Sequence, residues 1–219
     1  RMKLDGKIVT PDKFIPTITE FGLCGLLDFK VLEAFIDFYH QNVLTCQHIR
    51  FSLNITPETL ADENTAERII FMFEKKNKKP DNIVFEVTEE QLFLNERNVI
   101  NNINSLRHYG FEIAIDDFGT GYANYERLKN LDADIVKIDG MFIREIISNR
   151  VDQLIVKSII DIARARGMSV VAEYVETQEH KVLLSQLGVD YLQGYHIAKP
   201  LPLACIMKEK AASSEDYPE

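Results

Sequence analysis

The chain alternates short apolar segments with longer amphipathic ones, and this alternation restricts its fold more than any other feature. The short segments are typical of buried strands, and the longer ones repeat apolar residues at helical spacing. Six strand-plus-helix units follow one another. Such an alternation indicates a parallel sheet with helical crossovers. The strands are expected at residues 49–55, 83–87, 111–116, 134–139, 168–173 and 189–194.

The segments between these strands are predicted to be helices. Residues 6–16 contain several turn-forming residues and are predicted to be a surface loop that leads into a short helix. The helices are expected at residues 26–39, from 56–58 onward, and at 65–76, 95–109, 150–166, 177–187 and 202–211, with a short one before residue 134. A polar tail at 213–219 is expected to be disordered, so that one domain spans residues 1–212.

Composition excludes several classes of function. The formal net charge of -9 at pH 7 argues against a general grip on DNA or RNA duplexes, which needs clustered Lys and Arg. No apolar run approaches the roughly 20 residues of a membrane span, so no membrane contact by this chain is expected. The three cysteines, Cys24, Cys46 and Cys205, are expected to be free thiols in a reducing compartment. We therefore expect a cytoplasmic location.

Polar side chains recur at the carboxyl ends of the predicted strands. A closed barrel gathers all such ends at one mouth, where barrel enzymes keep their chemistry, whereas an open sheet spreads them along a line. We therefore favour a closed barrel of the α/β class. Because six strands are fewer than the usual eight, either the barrel is unusual or two opening strands precede residue 1. The strand-end residues are Asn54, Glu86, Asp116, Asp117, Glu173 and Gln193.

Two adjacent carboxylates, Asp116 and Asp117, end one apolar strand. Neighbouring carboxylates repel each other unless a cation lies between them or one of them is protonated. The alternative is that Asp116 faces the barrel mouth while Asp117 caps the next helix. Gly119 and Gly121 follow at once and let the backbone bend sharply or approach a ligand closely.

The strand-end set indicates a metal site. Carboxylate and amide oxygens without histidine or thiol suit Mg²⁺ or Mn²⁺ rather than zinc. Two such ions about 3.5–4 Å apart are the usual arrangement for phosphodiester cleavage, and Asp116 could bridge them. Lys137, within an apolar strand, could hold the attacking water or hydroxide, or neutralise developing charge. The alternative for Lys137 is a structural ion pair with Glu173 or Asp139.

Six motifs in this order and spacing resemble the EAL domain family along essentially the whole chain. Residues 14–16 and 199–201 also resemble flanking segments of that family. The motifs are Ser-Leu-Asn-Ile-Thr around Asn54, Phe-Glu-Val-Thr-Glu around Glu86, Asp-Asp-Phe-Gly-Thr-Gly-Tyr from Asp116, Val-Lys-Ile-Asp around Lys137, Ala-Glu-Tyr-Val-Glu around Glu173, and Gln-Gly-Tyr from Gln193.

The resemblance implies a bacterial signalling enzyme, a phosphodiesterase that opens cyclic di-GMP to linear pGpG on a modified TIM barrel with two divalent cations, Mg²⁺ or Mn²⁺. It implies that Asn54, Glu86 and Asp116 bind the first metal. It also implies that Asp116, Asp117 and Glu173 bind the second. The expected partners are cyclic di-GMP, a second copy in a homodimer, and an upstream sensory or GGDEF-type domain. A membrane-anchored protein could carry such an upstream domain.

Further roles follow from the same resemblance. Lys137 would contact the nucleophilic water, Gln193 would support the metal ligands, and Arg1 would contact the ligand phosphate. Glu176 would steady the loop at residues 118–124, which the family links to dimerisation and to regulation of metal binding. The named residues of that loop are Phe118, Gly119, Thr120 and Gly121.

The chain departs from the family pattern at two places. The glutamate of the Glu-Ala-Leu motif, a further ligand of the first metal, would lie before Arg1, together with both strands of the opening hairpin. Tyr174 stands where the family usually has glycine, directly after the metal ligand Glu173. These departures keep a second hypothesis open: a catalytically inactive receptor that binds cyclic di-GMP and passes the signal to a partner.

Overall fold

The computed structural model describes residues 2–42, 49–76, 82–88, 96–119, 133–203 and 205–206. At its centre, six parallel strands form one curled sheet in which they lie in sequence order, as expected for a modified TIM barrel. All six predicted strands are confirmed, with small differences at their ends. The strands are β1 (Met2–Leu4), β2 (Lys7–Val9), β3 (Phe51–Asn54), β4 (Ile83–Thr88), β5 (Glu112–Phe118), β6 (Ile135–Ile138), β7 (Ser169–Ala172) and β8 (Tyr191–Leu192).

The first two strands form a separate antiparallel hairpin. Asp5 and Gly6 form its two-residue turn and both have positive φ, at 48° and 77°, as the tight turn of a hairpin requires. The prediction of a loop at residues 6–16 was therefore wrong for β2, and also for residues 11–16, which already belong to the helix Pro11–Glu20. Each hairpin strand has only three residues, too few for alternation to show. The sequence analysis placed an opening hairpin before residue 1 and missed this one.

The helices lie close to their predicted positions. Several begin at recognisable caps: the Asn149 side chain accepts from the Val151 N–H at 2.9 Å, and Thr177 Oγ1 accepts from the His180 N–H at 3.1 Å. The predicted closing helix at 202–211 falls mostly outside the described residues, and the short helix before 134 and the tail at 213–219 fall wholly outside them. The helices are α1 (Pro11–Glu20), α2 (Cys24–Gln41), α3 (Pro57–Ala61), α4 (Thr65–Glu74), α5 (Glu96–Tyr109), α6 (Arg150–Ala165) and α7 (Gln178–Leu187).

The two faces of the parallel sheet bury different sets of side chains. Residues such as Phe85, Ile115 and Val136 belong to the large core that also contains the apolar faces of the helices. Their neighbours along each strand point to the other side because side chains alternate along a strand. On that inner face a small apolar layer forms from Val84, Ala114, Ile135 and Val171.

Two residues further along the same four strands, the inner face changes from apolar to charged. The positions that follow this layer with the strand period of two are Glu86, Asp116, Lys137 and Glu173. The sequence thus places four ionisable side chains next to one another above an apolar floor. This layer contains the candidate site.

Asn102, on α5, joins three helices through a buried side chain. Its Nδ2 donates to the carbonyl oxygens of Leu60 and Asp62, both at 2.8 Å, and its Oδ1 accepts from the Ala66 N–H at 3.0 Å. Because the residue that precedes α4, Asn64, makes no side-chain cap, Asn102 caps that helix from a distance.

We expect Asn102→Ala to lower the free energy of unfolding by about 2–4 kcal/mol, because it leaves buried backbone groups without partners. Asn101→Ala is the matched control: Asn101 is exposed on the same helix, and its loss should change stability by less than about 0.5 kcal/mol. Urea denaturation of the two variants measures the difference. Equal midpoints would show that water replaces the Asn102 side chain.

Membrane and disulfide predictions were checked within the described residues. In that part of the chain, no helix is both long enough and apolar enough to cross a bilayer. Cys24 is buried and Cys205 is exposed, and both are free thiols, as expected. Cys46 lies outside the described residues.

Candidate metal centre and active site

Lys137 is the centre of the charged layer. Its Nζ donates to Asp116 Oδ1 at 2.8 Å, and lies 2.9 Å from Glu173 Oε1 and 3.0 Å from Glu86 Oε2. The lysine side chain is only 5% exposed. The alternative of an ion pair with Glu173 is therefore present in the structure, but as one contact of three. One buried ammonium group draws together carboxylates from three other strands.

Asp116 and Asp117 both belong to the site because β5 is irregular where they lie. In a regular strand, adjacent residues point to opposite faces. The pairing of β5 with β6 shifts register between Ile115 and Phe118, and Asp117 has a left-handed φ of 52°. Such a bulge changes the direction of a side chain, and Asp tolerates this conformation better than most residues. Asp117 lies within β5, and the helix that it could cap falls outside the described residues, so the capping alternative stays a prediction.

Three acids form the candidate metal cluster: Asp116, Asp117 and Glu173. Each offers one carboxylate oxygen, and these oxygens lie within 4.8 Å of one another. The donors are all hard oxygens, which suit Mg²⁺, Mn²⁺ or Ca²⁺. The residues therefore fit a divalent cation, as the sequence predicted.

The cluster perturbs the ionisation of its members. Burial raises the pKa of Asp117, and so do the charges of Asp116 and Asp139, while Lys137 opposes the shift. Burial also raises the pKa of Glu173, against the effect of its hydrogen bond with Lys137. For Lys137, burial lowers the pKa, but the carboxylates, Glu86 first, outweigh burial and raise the pKa well above its usual value. Lys137 is thus a permanent cation at neutral pH.

These shifts predict that the site loses its affinity for Mn²⁺ on acidification. The loss should begin at a higher pH than in a site whose carboxylates have ordinary pKa values. Because the pKa values of Asp117 and Glu173 are raised, both acids take up protons at a pH where an exposed acid is still ionised. A ligating carboxylate must lose its proton, so affinity rises as the pH rises through these pKa values. Titration calorimetry between about pH 5 and pH 8 measures the trend. A constant affinity over this range would contradict it.

The other predicted metal ligands lie beside this cluster. Asn54 pairs in register with Glu86 across β3 and β4, so both occupy the same level of the sheet. Glu86 is buried and contacts Lys137, whereas Asn54 is exposed. Gln193, directly after β8, lines a cavity of about 350 Å³ with Glu86 and Lys137, and also a second cleft with Glu173. The predicted strand-end set is thus on one side of the sheet.

The predicted regulatory and phosphate-binding residues are only partly described. Phe118 is buried at the end of β5, and Gly119 has a φ of 101° and lies so close to Phe142 that an added Cβ would be 2.6 Å from its ring. Glu176 is exposed, and its N–H donates to His180 Nδ1 at 3.4 Å. Arg1, Thr120 and Gly121 lie outside the described residues.

Asp139 is a site residue whose place in the cluster the sequence analysis missed. It was considered only as a partner of Lys137, but its negative charge lies close enough to Asp117 to raise the pKa of that acid. It also accepts from the Met141 N–H at 2.7 Å. The signal was available, because Asp139 directly follows β6 as Glu173 directly follows β7.

The sequence of the chain matches a known family. The sequence pattern of the family described as the EAL domain matches residues 1–200. The chain belongs to the EAL domain family. Tyr174, directly after Glu173, has a left-handed φ of 56°, a conformation that glycine adopts more freely than any residue with a Cβ.

Individual relatives agree with this assignment. The chain is 51% identical, over 93% of its length, to the "Probable cyclic di-GMP phosphodiesterase PdeA" of Escherichia coli K12, and the match covers 28% of that protein. It thus spans less than a third of this relative. It is similar to the PaMucR phosphodiesterase solved as a c-di-GMP complex, with a TM-score of 0.82 and 27% identity, covering 92% of this chain and 82% of PaMucR.

A third similar protein was solved with a metal. It is Klebsiella pneumoniae BlrP1 in a manganese and cy-diGMP complex, with a TM-score of 0.67 and 27% identity. The match covers 75% of this chain and 42% of BlrP1. Divalent metal binding at the acidic cluster of this EAL domain is therefore consistent with both chemistry and similarity.

Proposed function

We propose that this EAL domain is a phosphodiesterase that hydrolyses cyclic di-GMP to linear pGpG in bacterial second-messenger signalling. The observation that carries the proposal is the charged layer itself, in which a cationic lysine stands among acids able to hold a divalent cation. A cyclic dinucleotide brings negative phosphates, which this acidic domain attracts only through metal ions and a local cation. The names of PdeA and PaMucR support the same activity.

The proposed reaction is the attack of water on phosphorus with departure of a ribose oxygen. Lys137 keeps its proton at neutral pH and so acts as a hydrogen-bond donor and a cation, not as a general base. It orients the attacking oxygen and stabilises the negative charge that develops on the phosphate oxygens. Glu86, Asp116 and Glu173 hold the ammonium group in place. Gln193 lines the cavity beside Lys137 and would support this arrangement.

Two divalent cations, Mg²⁺ or Mn²⁺, fit this proposal. When bound they supply a water of lowered pKa and balance phosphate charge. Asp116, Asp117 and Glu173 would hold one ion. Asn54, Glu86 and again Asp116 would hold the other, because Asn54 and Glu86 lie at one level of neighbouring strands. Arg1 is proposed to contact the ligand phosphate.

The test uses the intact protein that contains this chain. It is incubated with cyclic di-GMP and either Mg²⁺ or Mn²⁺, and the product is separated by chromatography, with a chelator as the control. We expect linear pGpG only with metal. Binding in calorimetry without any product would favour the inactive receptor instead. If neither binding nor product is observed at any metal concentration, both hypotheses are overturned.

We also propose that the domain self-associates. Val151 and Leu154 lie three positions apart at the start of α6, and their exposed fractions are 61% and 54%. Residues with this spacing share one helix face, and an apolar face of this kind is typical of an interface. Sedimentation of wild type and Val151→Glu tests this: a monomer in both would exclude an interface on α6.

The remaining proposals concern the context of the domain. We propose an upstream sensory or GGDEF-type domain, a cytoplasmic location, and control of metal binding through Glu176 and residues 118–124. Expression of the whole gene product, followed by cell fractionation, tests the first two. A loss of metal affinity in Glu176→Gln tests the third, with Glu179→Gln, an exposed acid three residues later, as its matched control.

A further inference from the structure

Tyr174 holds a backbone conformation that does not suit it. Its φ of 56° is left-handed, which glycine adopts freely and a residue with a Cβ adopts at a cost. The residue directly follows Glu173 of the acidic cluster. Strain next to a functional site indicates that the side chain has a use there.

Gly140 makes room for the tyrosine. A Cβ added to Gly140 would lie 2.7 Å from the Cβ of Tyr174 and 3.1 Å from its Cγ, closer than real contacts allow. Gly140 is not among the glycines with positive φ, so its backbone does not require glycine. Position 140 therefore needs glycine because a larger side chain would collide with Tyr174, so the small residue at 140 and the large one at 174 depend on each other.

Arg144 completes a flat pair with the ring. Its Cζ lies 4.2 Å from the ring centroid of Tyr174, within the range of a cation–π contact. The Arg144 N–H donates to the Gly140 carbonyl, so the turn that accommodates the tyrosine also carries the arginine. Tyr174 nevertheless remains 39% exposed. We refer to these two side chains as the Tyr174–Arg144 pair.

The backbone beneath the pair is fixed to the next strand. The Val175 N–H donates to the Gln193 carbonyl at 3.0 Å, and the His196 N–H donates to the Val175 carbonyl at 2.9 Å. A Cβ on Gly194 would lie 2.2 Å from the Val175 nitrogen, so the two segments are in close contact. The ring is thus presented from a rigid base, as a binding site requires.

The pair lines an open cleft of about 480 Å³ that reaches the acidic cluster. Glu173 and Gln193 line the same cleft, so a ligand bound at the acids would extend into it. An aromatic ring and a guanidinium group offer flat surfaces on which a nucleobase stacks, and this preference does not depend on base identity. The volume is within the range of small-molecule sites.

We propose that the Tyr174–Arg144 pair is the stacking surface for one guanine base of the ligand while the phosphodiester lies at the acidic cluster. This inference rests on the proposed function, since it takes cyclic di-GMP as the ligand. Tyr174 is then a residue that sets substrate affinity, and Arg144 supports its ring. If the two side chains only packed on each other and on the Gly140 turn, ligand binding would leave their surroundings unchanged.

The first test uses fluorescence. These 219 residues contain no tryptophan, so Tyr174→Trp places one reporter within the domain, and the wild-type protein gives the background signal to subtract. We expect cyclic di-GMP to quench the fluorescence of this tryptophan when a base stacks on it. The quenching should occur in chelator and with Mn²⁺ alike, under every condition in which calorimetry shows binding. Phe71→Trp is the matched control, because Phe71 is an exposed ring on α4 outside the cleft, and its signal should not change. Binding heat without quenching at position 174 would overturn the inference.

The second test uses kinetics. Tyr174→Ala should raise KM for cyclic di-GMP by about 5- to 100-fold with kcat within about twofold, since stacking is lost equally from ground and transition states. Tyr174→Phe should restore KM, and Arg144→Met should raise it less. Tyr174→Gly suits the left-handed backbone and guards against misfolding. An unchanged KM in both Tyr174→Ala and Tyr174→Gly would overturn the inference while leaving the proposed function standing.

The two proposals fail in different ways. If wild type neither binds cyclic di-GMP nor forms pGpG, the proposed function fails and the stacking inference fails with it. If wild type is active and the position-174 variants behave like wild type, only the inference fails.

Discussion

Lys137→Met is expected to lower the rate of cyclic di-GMP hydrolysis by at least about 10²- to 10³-fold, the usual loss when a positioned donor to developing charge is removed. Methionine keeps most of the volume of lysine but cannot donate to the attacking oxygen. Steady-state production of pGpG with Mn²⁺ measures the effect. A near-normal rate would remove Lys137 from the role assigned to it.

The same substitution should also destabilise the metal-free protein. Lys137 separates Glu86, Asp116 and Glu173, and without it three partly buried carboxylates face one another. Removing one partner of a buried ion pair typically costs about 3–5 kcal/mol. Saturating Mn²⁺ should recover part of this loss, because a divalent cation replaces the missing positive charge.

Lys157→Met is the control for both effects. Lys157 pairs with Asp161 on the exposed side of α6, at 2.6 Å, and both side chains are largely exposed. Such pairs contribute up to about 1 kcal/mol. The control should keep full activity and nearly full stability. A comparable loss in Lys157→Met would indicate a general sensitivity to lost positive charge.

Much of the site could be predicted because the two-residue period of a strand determines which side chains point toward it. Glu86, Asp116, Lys137 and Glu173 each stand two residues after an apolar inner-face residue, and that spacing is visible in the sequence. Parallel strands bring these positions together without any further information. This is why six strands and their polar ends were predicted correctly with only small errors at the boundaries.

The remaining features depend on contacts between segments that are distant in sequence. The bulge that lets Asp117 join Asp116 arises where β5 meets β6, and no local pattern marks it. The match of Gly140 with Tyr174 joins two different strand ends. The hairpin β1–β2 was missed because its strands have three residues each, and Leu4 and Ile8, two of its four apolar residues, are 56% and 69% exposed.

Asp117→Asn should lower turnover, as Lys137→Met does, but change stability in the opposite direction. The amide nearly keeps the shape of the acid and tolerates the left-handed backbone, but removes one negative charge from the three-acid cluster. We expect Mn²⁺ affinity to fall by at least about tenfold, and hydrolysis with it. Calorimetry and the pGpG assay measure the two effects.

The change in stability follows from the raised pKa of Asp117. An acid whose pKa is higher in the folded state contributes most at low pH and becomes a cost as the pH rises through that pKa. Without metal, Asp117→Asn should therefore match wild type in acid and exceed it by up to about 1 kcal/mol near neutral pH. Asp161→Asn, an exposed acid on α6, should show no such gain.

If Asp117→Asn were instead less stable than wild type in chelator at neutral pH, the repulsion between Asp116, Asp117 and Asp139 would not be the dominant force in the metal-free site. The opposite signs for Lys137→Met and Asp117→Asn would show that the site stores an excess of negative charge, which the metal relieves on binding.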